Sequence, residues 1–153
     1  MNKQLLIWQN YLLTTGMLFA GYNVVTVTMR YLNADGVMTA FRASNGLINP
    51  LATPCFYGFL AFGLAWVWST RLRARFIEAS QSNLVWLLTG ASIFAWGNYG
   101  YTLGKLYTGA SCNLGCTAGY FGIPQFTTCL VGAVIFTLAL IVAVRAKKIA
   151  TRG

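Results

Sequence analysis

Four cysteines, Cys55, Cys112, Cys116 and Cys129, are the side chains of this chain best suited to chemistry. There is no histidine, and Asp35 and Glu78 are the only carboxylates. The residue set therefore favours sulfur chemistry over proton transfer. General acid–base catalysis needs groups within hydrogen-bond reach of one substrate, and the two acids fall on opposite membrane sides in the topology derived below. No phosphate-cradling loop of the P-loop type is present. Thiols can act as staples when oxidised in pairs, as a relay when a pair cycles, or as soft-metal ligands.

Cys112 and Cys116 sit within Ser111-Cys112-Asn113-Leu114-Gly115-Cys116-Thr117, a Gly-containing stretch able to bend into a bridge. Cys55 follows Thr53-Pro54. Thr is a good helix N-cap and Pro suits the first helical position, where its missing N–H is no loss. Cys55 is thus expected in a first helical turn, where the positive end of the helix dipole favours the thiolate. Cys129 is placed nearly so. One arrangement is two structural disulfides, Cys112–Cys116 and Cys55–Cys129, or one bridge with buried thiols. The other is a redox site, with Cys55 and Cys129 as the catalytic pair and Cys112 and Cys116 as the loop disulfide or shuttle pair. Four cysteines allow three pairings, and spacing alone does not choose among them. Zinc or copper would accept such thiolates. With no histidine and cysteines spread from Cys55 to Cys129, no metal site is assigned.

The elements that carry these cysteines come in two copies. Slid by 74 residues, Pro50, Thr53, Cys55, Gly58, Phe62, Leu64, Ala65 and Arg71 fall on Pro124, Thr127, Cys129, Gly132, Phe136, Leu138, Ala139 and Arg145. Leu13, Thr15 and Gly16 fall on Leu87, Thr89 and Gly90 under the same shift. With one inserted residue, Asn23 matches Asn98 and Arg30 matches Lys105. The chain divides into two tandem units, 1–75 and 76–153. Each copy supplies one cysteine at the same place, whereas Cys112 and Cys116 belong to the second copy alone.

Hydrophobic residues make up 57% of the chain and charged residues 8%. A soluble domain carries about 25% charged residues, so this chain is expected in a membrane. Four apolar stretches are long enough to span, near Tyr11–Met29, Leu51–Ser69, Leu84–Leu103 and Phe126–Val144. The stretch Leu5–Asn10 reads as interfacial, and Thr70–Ser82 as the link between the copies. Net charge is +9, but its distribution is that of a membrane protein rather than a nucleic-acid binder. Lys3, Arg71, Arg73, Arg75, Arg145, Lys147, Lys148 and Arg152 fall on one side; Arg30, Arg42 and Lys105 fall on the other. By the positive-inside rule both termini are cytoplasmic, and the cysteines face the periplasm or cell exterior of a plasma or inner membrane. The basic clusters suit anionic lipid headgroups. Nucleic acid is not an expected partner.

The expected fold is therefore an all-α integral membrane protein, with four transmembrane helices arranged as two tandem helical hairpins. Parallel repeats of this kind pack about a pseudo-twofold axis along the membrane normal. The axis relates Cys55 to Cys129, Asn23 to Asn98 and Arg30 to Lys105. Whether spans two and four or spans one and three meet at the axis is left open by sequence. Asn23 and Asn98 are candidates for interhelical bonding or for a symmetric substrate path. Arg30 and Lys105 are candidates for headgroup anchors or for a positive mouth.

In its four expected spans and outer-side cysteines the chain resembles the quinone-linked four-helix membrane thiol oxidoreductases. The resemblance implies disulfide exchange from a loop pair to a bundle pair, with a quinone as cofactor. The chain departs from their close Cys-x-x-Cys at a helix start, since here Cys112-x-x-x-Cys116 lies in a loop. Gly115-Cys116-Thr117-Ala118-Gly119 resembles the Gly-Cys-Thr-x-Gly segment of YeeE/YedE sulfur-compound transporters over five residues. Tyr120 stands where they continue with histidine. Two further readings remain. One is a non-catalytic subunit of a membrane complex or a homo-oligomer, motivated by the Gly-rich third span. The other is a small transporter with its site at the repeat interface.

Overall fold

The structure, a computed structural model, describes residues 3–35, 53–71, 77–108 and 127–150. These form four helices: α1 (Lys3–Asp35), α2 (Pro54–Arg71), α3 (Ile77–Thr108) and α4 (Thr128–Ala150). Two threonines start two of them in the same way. The Thr53 carbonyl accepts from the Phe56 and Tyr57 amides at 3.1 and 3.5 Å, and its Oγ1 accepts from Phe56 at 3.4 Å. Thr127 repeats the pattern with Leu130 and Val131, at 3.1 and 3.4 Å to the carbonyl and 3.4 Å to Oγ1. Each cap occupies amide donors that a helix start otherwise leaves unpaired.

Within the helices, hydroxyl and amide side chains turn back onto their own backbone. Thr26, Thr28, Thr89 and Thr137 each donate to the carbonyl four residues earlier, at 2.8 Å. Such bonds occupy polar groups locally, without water or a second helix.

The helices form a ring in which α1 packs on α2 and α4, and α3 packs on α2 and α4. Helices α2 and α4 touch lightly across one diagonal. Neighbours run antiparallel. Asn10, at the start of α1, accepts from Ser69 Oγ, at the end of α2 (2.7 Å). Gln81, at the start of α3, donates to the carbonyl of Ala143, late in α4 (3.1 Å). Lys147 Nζ donates to Ser82 at the same end (3.1 Å).

Alanines pack inside beside Phe62, Leu13 and Leu88, while many large apolar side chains face outward. Ala65, Ala139 and Ala143 are wholly buried, whereas Trp8, Tyr22, Trp86 and Ile93 are each more than 60% exposed. Small residues inside let backbones approach closely. By length and composition, α1 over Gln4–Met29 and α4 over Thr128–Ile149 suffice to cross a membrane.

Two boundaries differ from expectation. Leu5–Asn10 is not a separate interfacial stretch; it forms early turns of α1, and Gln9 within it is wholly buried. Helix α3 begins at Ile77, inside the expected link, and runs past Leu103 to Thr108. Residues 77–83 contain no Gly or Pro to stop a helix, and Gln81 and Ser82 find partners on α4. An apolar window marks hydrophobic length, not helix length.

Candidate functional site

The end of the bundle opposite Lys147 holds Cys55 and Cys129. Pro54 and Thr128 are the first residues of α2 and α4, so Cys55 and Cys129 both occupy the second helical position. Cys129 is buried and Cys55 half-buried. Two turns deeper, Phe62 and Phe136 stack face to face, with centroids 3.8 Å apart and planes 4° from parallel. One small cavity is bordered by both cysteines, by Gly58 and Gly132, and by the two stacked rings. About 40 Å³ of it is open to the centre of a water molecule, room for a few waters. Its lining is almost entirely apolar.

Helices α2 and α4 are thus the pair that meets across the centre, the choice that sequence left open. No disulfide joins Cys55 to Cys129 among the described residues. Both thiols border this one cavity.

The other expected site residues divide. Asn98 lines the cavity, and its Nδ2 donates to the Phe94 carbonyl at 2.8 Å. Asn23 makes the same bond to the Phe19 carbonyl, also at 2.8 Å, and is buried. Phe19 and Ala20 line the cavity, whereas Asn23 is not among its lining residues. Lys105 lies in the last turn of α3 with Nζ 5.0 Å from the centroid of the Tyr101 ring, a cation–π contact. It is likewise absent from the cavity wall. Cys112 and Cys116 lie outside the described residues, as does the side chain of Arg30. No group of three or more His, Cys, Asp or Glu gathers among the described residues in a way that would hold a metal ion.

Sequence reasoning missed the Phe62–Phe136 stack and the glycine pair above it. The signal was available, since all four residues are identities of the 74-residue shift. It also missed a second feature, a groove between α2 and α3 lined by Tyr57, Trp86 and Phe94, with Phe136 in its wall.

What the arrangement can do chemically is limited and specific. Two thiols share a confined space of low polarity, each at a helix N-terminus, with one carboxamide beside them. No family model, curated protein or solved structure matches this chain.

Proposed function

We propose that the chain is a four-span membrane protein of two tandem hairpins, whose outer-end thiols, Cys55 and Cys129, form a thiol–disulfide redox pair. The observation that carries this reading is the shared cavity, which the two thiols border from matched helical positions. When the pair closes by exchange with a substrate disulfide, two S–H bonds and the substrate S–S bond break, one S–S bond forms between Cys55 and Cys129, and the substrate leaves as two thiols.

Several features support the membrane setting. Large apolar side chains such as Trp8, Tyr22, Trp86 and Ile93 are exposed on the outside of the bundle. Several of its threonine hydroxyls, among them Thr26, Thr28 and Thr89, bond their own helices, as a lipid environment favours. Of the described cations, Arg145, Lys147 and Lys148 lie at the end away from Cys55 and Cys129 and Lys105 at the other, an excess that supports a cytoplasmic location for the former by the positive-inside rule. The matched caps at Thr53 and Thr127 and the matched amide bonds of Asn23 and Asn98 support the repeat.

The test is a count of reactive thiols in native membranes by mass-tagging, with Cys112 and Cys116 replaced by serine. A redox pair gives two tags after mild reduction and none after mild oxidation. Cys55→Ser or Cys129→Ser leaves one tag under both conditions and abolishes thiol oxidation. A pair that stays at two tags with every oxidant ends the proposal.

A second reading, a helix-mediated subunit or homo-oligomer, is favoured by one face of α3. Gly97, Gly100 and Gly104 lie on it exposed, and a Cβ on any of them would meet nothing within 4 Å. The repeat-equivalent face of α1 carries Tyr22, Val25 and Met29, all exposed. Each glycine costs about 1 kcal/mol of helix stability relative to alanine, and a neighbouring helix able to approach closely would offset that. Gly100→Leu is expected to abolish crosslinking between copies or to a partner, while Val25→Leu leaves it intact. Equal crosslinking in both variants removes this reading.

A further inference from the structure

Cys55 and Cys129 reach one cavity by the same route. Each stands at the second position of its helix, just after a capping threonine, Thr53 or Thr127. Pro54, Cys55, Thr128 and Cys129 all line the cavity, so the first turns of α2 and α4 form part of its wall. Two helix N-termini and two sulfurs therefore meet at one small space. Among the described residues, Asn98 and Thr128 are the only oxygen-bearing side chains of that wall, and the rest of it is apolar.

Metal ions differ in what they ask of such a wall. Calcium and magnesium take about six oxygen ligands or more. Structural zinc takes a tetrahedral set of four, and iron–sulfur clusters take four protein ligands. Two sulfurs in an apolar wall suit none of these. Cu(I) is a soft, closed-shell ion that thiolates select, and two thiolates in line satisfy it. The same wall withholds the nitrogen and oxygen ligands that Cu(II) prefers. Two thiolates on one Cu(I) leave a net charge of −1, and a charge is costly to bury alone. A helix N-terminus carries about half a positive charge, so the two that meet here supply about +1 in all.

We infer that Cys55 and Cys129, in their thiol form, bind one Cu(I) ion as a two-coordinate dithiolate. Two S–H bonds break, two Cu–S bonds form, and two protons leave to solvent. The ion stays Cu(I), so the step needs neither oxidant nor reductant. Gly58 and Gly132, each three residues beyond its cysteine, keep side chains out of the space the ion takes. A Cβ at Gly132 would meet nothing within 4 Å, so a larger side chain there has the cavity to enter. The inference goes beyond the redox reading and does not rest on it, since it requires only reduced thiols. A closed Cys55–Cys129 bridge would leave no thiolate for the metal.

The experiment uses the full chain in lipid nanodiscs with Cys112 and Cys116 replaced by serine, pre-reduced and kept anaerobic. Cu(I) is offered as its coloured bicinchoninate complex, which bleaches as the protein takes the ion, and X-ray absorption counts the sulfur neighbours. One ion per chain with two sulfurs is expected, undisturbed by an equal concentration of zinc. Cys55→Ser and Cys129→Ser are each expected to abolish the bleaching. Gly132→Leu fills the cavity and keeps both thiols, as two mass tags would verify, and is expected to weaken binding by about tenfold or more. Gly63→Leu, at an open position of α2 away from the cavity wall, is expected to change nothing. If mild oxidants never close the pair but the ion binds, the redox reading falls and the copper site stands. A pair that cycles yet takes no Cu(I) from bicinchoninate overturns the inference. So do displacement by zinc, bleaching that survives either serine variant, and binding that Gly132→Leu leaves untouched.

Discussion

Phe62 and Phe136, 74 residues apart in the chain, lie ring on ring with centroids 3.8 Å apart. Each is nearly inaccessible, at 1% and 4% exposed. The stack is the centre of the bundle: it couples the two helices that carry Cys55 and Cys129, and it closes the deep end of the cavity those cysteines border. An aromatic pair contributes about 0.5–1.5 kcal/mol beyond its area. A double-mutant cycle of Phe62→Leu and Phe136→Leu, followed by thermal unfolding in mild detergent, is expected to return a coupling energy in that range. Additive single losses would mean that the rings fill space without interacting.

Gly16 and Gly90 align under the 74-residue shift but face different surroundings. A Cβ at Gly16 would strike the Phe62 ring, which is itself held against Phe136 and cannot swing away. Overpacking of this kind costs about 1–3 kcal/mol, so Gly16→Ala is expected to destabilise by that amount. Gly90→Ala meets open space and gains helix propensity of up to about 1 kcal/mol. Opposite signs for the two substitutions are the expected result in the same unfolding measurement.

Thr53 and Thr127 cap their helices through the same three hydrogen bonds, with lengths agreeing within 0.1 Å. Both are buried, at 2% and 3% exposed. Removing such a cap costs about 0.5–2 kcal/mol. Thr53→Ala and Thr127→Ala are expected to lower stability by similar amounts, each recovered by serine. A large loss at one and none at the other would separate the two hairpins energetically.

How much of this was legible in the chain differs from residue to residue. The caps were readable because Thr-Pro-Cys and Thr-Thr-Cys state their chemistry locally. The helices were readable from apolar length, but their ends were not. Gln9 and Gln81 reach each other from starts of α1 and α3 that no hydropathy window marks. The choice of α2 and α4 as the central pair depends on which apolar faces meet, and every face of a lipid-compatible helix is apolar. The 74-residue shift contained the answer in Phe62 and Phe136, yet identity between copies does not reveal contact between copies. The groove was illegible for a further reason: it arises from a difference between two similar flanks, and only packing shows which flank is filled.

Gln9 is wholly buried, and its Nε2 has no hydrogen-bond partner among the described residues. Its Oε1 accepts from Gln81 Nε2 at 3.3 Å, while the same Gln81 nitrogen donates to the Ala143 carbonyl at 3.1 Å. Turning the Gln9 amide over offers no relief, because its N–H group would then oppose the Gln81 N–H group. An unmet buried donor costs about 1–3 kcal/mol, whereas the bond to Gln81 returns about 0.5–1.5 kcal/mol. Gln9→Leu removes the orphan and keeps the Gln81–Ala143 bond, so it is expected to leave stability unchanged or raise it by about 1 kcal/mol. Gln81→Leu loses both bonds and strands the Gln9 amide at both ends, so a loss of about 2 kcal/mol or more is expected. Unfolding midpoints of the two variants in one detergent decide the matter. A destabilising Gln9→Leu would show that Nε2 is satisfied in the membrane, by a water or by a group that the described residues do not include.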